Sequence, residues 1–214
     1  MSSENVVEAR RAGVDLSVAA FDHEAWARAP AVKLTRYWSG EAAPGGRHAE
    51  TRLLWNERAL YARFVCAQRE PLIAHARPQL ERKTIGLWER DVCELFVAPR
   101  ADEPERYYEF EVAPTGEWLD LAIRKTAHAR ETDWNYRSGL RAAARVSPDS
   151  ITLALCVPWE AFGHVAQTGE RWRVNLFRCV GAGATRGYLA WQPTLAPEPD
   201  FHVPEKFGDL VFRD

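Results

Sequence analysis

The sequence predicts an all-β protein, an antiparallel β-sandwich of the immunoglobulin-like or jelly-roll type. Roughly ten short segments alternate between apolar and polar residues with the period of two that strands require. The connections are mostly short turns, and almost no segment has the helical period. Because 214 residues suffice for one substantial core, we interpret residues 1–214 as a single domain.

The first third of the chain contains the clearest hairpin. Residues 51–56 and 59–67 are two apolar-rich arms joined by a short Asn-Glu-Arg turn. Before this hairpin, residues 6–10 indicate a short edge strand and residues 33–38 a second strand. Between these two strands, Asp22 can cap a single helical turn.

The remaining strands follow from the same alternation. Residues 92–98 are apolar on both faces apart from Glu94, which is typical of a central strand. Residues 124–137 are polar and indicate a long loop. The other predicted strands are residues 107–112, 118–123, 140–146, 151–157, 172–180, 188–191 and 207–212.

Composition excludes several classes of function. A net charge of −2 gives no electrostatic basis for binding nucleic acid or an anionic membrane. The four cysteines lie in apolar strand-like segments without a CxxC spacing, so we expect buried, unpaired thiols. The N-terminus has no apolar leader region, which predicts a cytoplasmic protein; after removal of a leader, the same sequence would belong to an exported protein.

The most informative stretch is residues 86–99, which places Trp88 three residues before Asp91 and six before Glu94. A sugar ring can lie against a tryptophan with its C–H face while carboxylates accept its hydroxyl protons. Nine tryptophans in one domain also favour stacking platforms for a ligand. The alternative is a core tryptophan beside a salt-bridged glutamate.

Seven segments, in order, resemble the family 9 carbohydrate-binding modules, and the resemblance is clearest over residues 30–214. The most distinctive are Leu87-Trp-x-x-Asp-x-x-Glu94-Leu-Phe and Tyr108-Glu-Phe-Glu-Val-x-Pro-x-Gly116. The other five are Ala59-Leu-Tyr-Ala-Arg-Phe, Val157-Pro-Trp-Glu-Ala-Phe, Trp172-Arg-Val-Asn-Leu-Phe-Arg178, Trp191-Gln-Pro-Thr and Phe201-His-Val-Pro-Glu-Lys-Phe-Gly208.

The resemblance implies a β-sandwich that binds a mono- or oligosaccharide without catalysis, in association with carbohydrate-degrading enzymes such as glycoside hydrolases. It implies a clamp in which Trp88 and Trp191 hold a sugar ring, while Glu94 and polar neighbours bind hydroxyls. We include Asp91, Gln192 and Arg178 in this candidate site, with Arg178 either contacting the ligand or pairing with Glu94. We expect no cofactor, since no Asp-x-Asp-x-Asp loop is present here, although the resemblance leaves structural calcium open because some family members hold it.

Three other functions remain open from the residues alone. A glycoside hydrolase could use Asp91 with Glu94, or Glu109 with Glu111, as its carboxylate pair. A protein-interaction sandwich would have no sugar site. A haem module would need two histidine ligands, because Met1 is the only methionine.

Overall fold

A computed structural model describes residues 5–100 and 102–214 as an all-β protein, as predicted. The strands are β1 (Val6–Arg11), β2 (Val32–Leu34), β3 (Arg36–Tyr37), β4 (Ala49–Trp55), β5 (Ala59–Ala67), β6 (Val92–Ala98), β7 (Arg106–Val112), β8 (Trp118–Lys125), β9 (Arg130–Asp133), β10 (Arg141–Ser147), β11 (Ser150–Pro158), β12 (Arg171–Val180), β13 (Gly187–Ala190) and β14 (Gly208–Arg213). Helical structure within the described ranges is limited to short 3₁₀ turns at Glu24–Arg28, Gly45–Arg47, Leu87–Glu89, Trp159–Ala161, Gly183–Thr185 and Pro204–Lys206. None of these is long or apolar enough to span a membrane.

The strands form one curled sheet, in which eleven follow the order β10-β11-β5-β4-β1-β14-β12-β6-β7-β8-β9. Outside this order, β2 pairs with β4, and β13 pairs with β12 and β3. The sheet folds over so that its two halves pack face to face. Cys66 on β5 and Cys93 on β6 are far apart in this order, yet their Sγ atoms are 3.4 Å apart. The main core fills the space between the halves, with residues such as Leu53, Phe110 and Leu176 that are inaccessible to solvent.

The prediction of an edge strand at residues 6–10 is wrong. Strand β1 lies in the middle of the sheet and pairs in parallel with both β4 and β14. Its Val7 and Ala9 side chains are buried in the main core, so the short apolar alternation belongs to a strand that joins the two halves. The other strand pairs are antiparallel among the described residues.

A second apolar cluster covers the opposite face of β6, β7, β8 and β12. The segment between β13 and β14 closes over this face, where Phe201 stacks on Phe177 with ring centroids 4.0 Å apart. All four cysteine side chains are buried, as predicted from their apolar segments. The second cluster stops short of one end of the face, and a cleft opens there.

Candidate functional site

The cleft has a volume of about 440 Å³ and combines aromatic walls with an acidic floor. Loops and strands from four parts of the chain contribute to it. Its lining residues are Trp88, Glu89, Glu94, Glu109, Leu121, Arg130, Thr132, Trp134, Cys179, Tyr188, Pro199, Asp200, Phe201 and His202. A cavity in which aromatic side chains and polar groups converge is a usual form of a small-molecule site.

Trp88 stands on a short turn that is fixed from below. Gly86 begins the turn with φ 80°, a left-handed conformation that residues with a Cβ rarely adopt. Leu87 is fully buried and anchors the turn in the second apolar cluster. Arg186 donates to the carbonyl oxygens of Trp88 and Arg90, at 2.6 and 2.8 Å. The indole of Trp88 is therefore presented at the surface, and the residue keeps 36% of its area exposed.

The aromatic side chain that packs against Trp88 is Trp134. It follows the edge strand β9 and is 46% exposed. It lies in a turn in which the Asn135 amide donates to Asp133 Oδ1 at 2.9 Å. The two ring centroids are 6.3 Å apart, with their planes tilted by 43°. The rings contact each other and form one continuous apolar wall at the rim of the cleft.

The floor consists of three glutamates on one face of two paired strands. Glu94 on β6 lies directly opposite Glu111 on β7, and Glu109 is two residues before Glu111 on the same face. A carboxylate oxygen from each of the three lies within 4.8 Å of the others. Glu94 and Glu109 line the cleft, whereas Glu111 lies behind them without solvent exposure.

Burial dominates the electrostatics of this floor. Desolvation raises the pKa of Glu94 and of Glu111 well above the usual value, and the neighbouring glutamates raise both further. Burial raises the pKa of Glu109 as well. The Cys179 thiol donates to Glu94 Oε1 at 3.4 Å, and this contact favours the charged carboxylate. The cluster therefore binds protons more tightly than isolated carboxylates would.

His202 closes the cleft opposite the tryptophans as a neutral side chain. Its Nδ1 is 2.9 Å from the Tyr107 hydroxyl, and its Nε2 is 3.9 Å from Glu109 Oε2. Burial, reinforced by the Arg130 charge, lowers the pKa of His202 to about 3. Lys125 bonds the His202 carbonyl oxygen and holds this loop in place.

Of the six residues predicted from the sequence, Trp88 and Glu94 meet in the cleft. Asp91 does not line it, because its carboxylate is already engaged below the Trp88 turn. It accepts from the amides of Gly181 and Ile73 at 2.8 and 3.2 Å, and the residue is 1% exposed. Asp91 thus holds two loops together and positions the turn rather than facing a ligand.

Arg178 points to the opposite side of the sheet from Glu94. Phe177 is the β12 residue opposite Glu94, so Arg178 belongs to the face that packs between the two halves. Its guanidinium donates to three backbone carbonyls and to Gln68 Oε1 at 2.6 Å. Both predicted roles, ligand contact and partner of Glu94, are corrected by this placement.

Trp191 and Gln192 line a different cleft, and the structure does not place Trp191 across a slot from Trp88. Strand alternation explains why. Tyr188 faces the acidic cleft, whereas Leu189 and the residue two further on, Trp191, point to the main core. The Trp191 ring packs so tightly over Gly208 that a Cβ there would lie 2.6 Å from it.

Sequence reasoning missed Trp134, Tyr188, Glu109 and His202 as members of one cleft. The predicted loop over residues 124–137 contains β9, whose exposed residues give no apolar alternation. Glu109 was considered as part of a catalytic pair with Glu111. The signal that could have suggested its place is strand parity: Glu109 and Glu111 share one face of their strand, and they lie beside Glu94 in the register in which Glu94 is opposite Glu111.

The three glutamates form the only group of His, Cys, Asp or Glu side chains, within residues 5–100 and 102–214, close enough to share a metal ion. Glu94 and Glu109 are poorly arranged to act as the carboxylate pair of a glycoside hydrolase. Glu94 and Glu109 lie side by side on one sheet face, whereas glycoside hydrolysis needs carboxylates that flank the scissile bond.

The model of the carbohydrate-binding family 9 matches residues 48–212. A crystal structure of a putative carbohydrate-binding protein from Bacteroides uniformis superposes with a TM-score of 0.72 at 19% identity, covering 98% of this chain and 99% of that one. A family 9 module from Caldicellulosiruptor kristjanssonii in complex with glucose gives 0.69 at 12% identity, covering 97% and 95%. The same kind of module with cellotriose gives 0.68 at 11% identity, covering 97% and 93%. No curated protein matches the sequence.

Proposed function

This chain belongs to carbohydrate-binding family 9, and we propose that it binds a sugar non-catalytically in the cleft between Trp88 and the acidic floor. The observation that carries the proposal is the pairing of an exposed tryptophan wall with buried carboxylates in one cleft. Neither feature alone would identify a sugar site. Together they offer an apolar face for the C–H side of a pyranose and acceptors for its hydroxyl groups.

The proposed pose differs from a ring held between two parallel tryptophans. Because Trp88 and Trp134 already contact each other at a tilt of 43°, a sugar lies against the wall that they form together. Its hydroxyl groups then point to Glu94 and Glu109 at the floor. The volume of about 440 Å³ accommodates one or two sugar rings, so the proposed ligand is a mono- or short oligosaccharide.

Affinity should be modest. Stacking on an aromatic ring contributes roughly 1–2 kcal/mol. A hydrogen bond to a charged group adds about 1.5–3 kcal/mol before its desolvation is subtracted. After the cost of association, these contributions correspond to a dissociation constant on the order of micromolar to millimolar.

We also propose that the protein acts beside a carbohydrate-degrading enzyme and has no hydrolytic activity of its own. Glu111 is inaccessible to a ligand, and Glu94 and Glu109 would contact the same side of a bound sugar. Aryl-glycosides should therefore not turn over above background. Turnover that is lost in Glu109→Gln would overturn this part of the proposal.

Isothermal titration with glucose, cellobiose and cellotriose tests the binding proposal. Trp88→Ala should weaken binding about tenfold or more, since it removes half of the aromatic wall. Leu195→Ala removes a similarly exposed apolar side chain, 58% exposed and outside the cleft, and should leave affinity unchanged. Equal affinities for Trp88→Ala and the unaltered protein would show that the sugar binds elsewhere.

A further inference from the structure

The acidic floor lacks the positive partner that three buried carboxylates would ordinarily have. Among the described residues, no lysine or arginine nitrogen lies within 4.0 Å of Glu94, Glu109 or Glu111. The one ion-pair contact is His202 with Glu109 at 3.9 Å, and His202 is neutral near pH 7. A buried carboxylate without a positive partner is costly to ionise, which agrees with the raised pKa values of these glutamates. A ligand that brings a positive charge would favour the ionised form of the floor.

A second observation concerns hydrogen bonding. Glu109 Oε2 and both oxygens of Glu111 are buried and have no hydrogen-bond donor within the described part of the chain. Glu109 is 3% exposed, yet it lines the cleft. The cleft is therefore lined by a residue with a buried carboxylate oxygen that no lysine, arginine, amide or hydroxyl group of the described residues satisfies.

Two of the three nearby cations, Arg186 and Lys125, are engaged elsewhere. Arg186 donates to the carbonyl oxygens of Gly181, Trp88 and Arg90 at 2.6–2.8 Å. Lys125 pairs with Asp200 at 3.3 Å. Arg130 lines the cleft, and its charge lowers the pKa of Glu109 from a distance beyond an ion pair. Positive charge reaches the floor only as a long-range effect.

The choice between a metal ion and an amine depends on how many acceptors the floor supplies. Calcium takes six to eight oxygen ligands, whereas the three glutamates have six carboxylate oxygens in all and Glu111 is fully buried behind the other two. A primary ammonium has three N–H donors and is also attracted to aromatic faces. Tyr188 and the two tryptophans supply such faces in the same cleft.

We propose that the cleft selects a sugar that carries a primary amine, such as a 2-amino-2-deoxyhexose, with its ammonium donating to Glu94 and Glu109. This inference rests on the proposed sugar-binding function and specifies its ligand class. Glu111 lies directly behind these two residues and is not exposed to the ligand. Neutral sugars remain weaker ligands, because their hydroxyl groups satisfy the acceptors without balancing the charge.

Titration of three matched sugars at pH 7 tests the inference without any variant. Glucosamine should bind at least tenfold more tightly than glucose, which corresponds to about 1.4 kcal/mol. N-acetylglucosamine keeps the substituent at the same carbon but has no charge, so it should lose that advantage. If glucose or N-acetylglucosamine binds as tightly as glucosamine, the inference fails while the sugar-binding proposal stands. If no sugar binds, both fail.

Two variants test whether Glu109 is responsible for the preference for glucosamine over glucose. Glu109→Gln should lower the ratio of glucosamine to glucose affinity by about tenfold. Glu131→Gln makes the same charge change on the exposed edge strand outside the cleft and should leave the ratio unchanged. An unchanged ratio in Glu109→Gln would overturn the inference. Calcium or manganese binding without sugar, abolished by Glu109→Gln, would overturn it in favour of a metal site.

Discussion

Replacing Arg178 with methionine should destabilise the fold, because Arg178 holds the two halves of the sandwich together and does not line the proposed sugar cleft. Arg178 is 1% exposed and reaches from β12 to the other half of the sandwich. Nη1 donates to the carbonyl oxygens of Arg47, His48 and Ala67 at 2.7, 3.1 and 2.8 Å, and Nη2 donates to Gln68 Oε1 at 2.6 Å. Methionine fills much of the same space but removes the donor of all four bonds; the His48 carbonyl oxygen still accepts from the Ala67 amide at 2.9 Å, and the other three acceptors lose their guanidinium partner.

The expected loss is about 3–5 kcal/mol in the free energy of unfolding. Each buried acceptor without a donor costs about 1–3 kcal/mol, and partial relaxation or entry of water keeps the total below the sum. Since domains of this kind are stable by about 5–15 kcal/mol, most of the stability could be lost. Urea denaturation followed by tryptophan fluorescence measures the change.

The matched control is Arg171→Met on the same strand. Arg171 has a side chain 50% exposed and pairs with Asp209 at 2.8 Å, so its loss should cost within about 1 kcal/mol. Similar stabilities for the two variants would refute the structural role of Arg178. A loss of sugar binding in Arg178→Met with stability unchanged would restore it as a ligand contact.

Two further predictions test the acidic floor and the packing of Trp191. Burial raises the pKa of Glu111 above its unfolded value of about 4.3, and the neighbouring Glu94 and Glu109 raise it further. The contribution of Glu111 to the free energy of unfolding is therefore complete below about pH 4.3 and is lost as pH rises through the folded pKa. Glu111→Gln, which is always neutral, should therefore raise the melting temperature more at pH 8 than at pH 5; a lower melting temperature than the unaltered protein at pH 8 would contradict this. Gly208→Ala should cost about 1–3 kcal/mol, because its Cβ would lie 2.6 Å from the Trp191 ring, whereas Gly45→Ala meets no atom within 4 Å and should be nearly neutral in the same melt.

The fold was largely predictable because strand alternation is a local signal. The hairpin of β4 and β5 and the apolar strand β6 lie where the sequence predicts them. The central position of β1 was not predictable, since a parallel pairing with β4 and β14 depends on segments far apart in the chain. Edge strand β9 was missed because its residues are mostly exposed and give no alternation.

The candidate site was predictable only in part. Trp88 lies in a turn and Glu94 in the strand that follows it, so the proximity of the two residues can be read from the local sequence. The face on which a distant residue lies depends instead on strand parity and register. Arg178 and Trp191 were assigned to the site without that information, and Trp134 was omitted because nothing local connects it with Trp88.

The direct test of the account is to record the indole N–H resonances of the nine tryptophans by NMR during a titration with cellobiose or glucosamine. Assignments follow from single Trp→Phe variants. The Trp88 and Trp134 resonances should shift together along one saturating curve, because their rings form one wall of the cleft. The Trp191 resonance should stay in place, because that ring packs over Gly208 in a separate cleft. Movement of Trp191 with Trp88 and Trp134 unchanged would contradict the account.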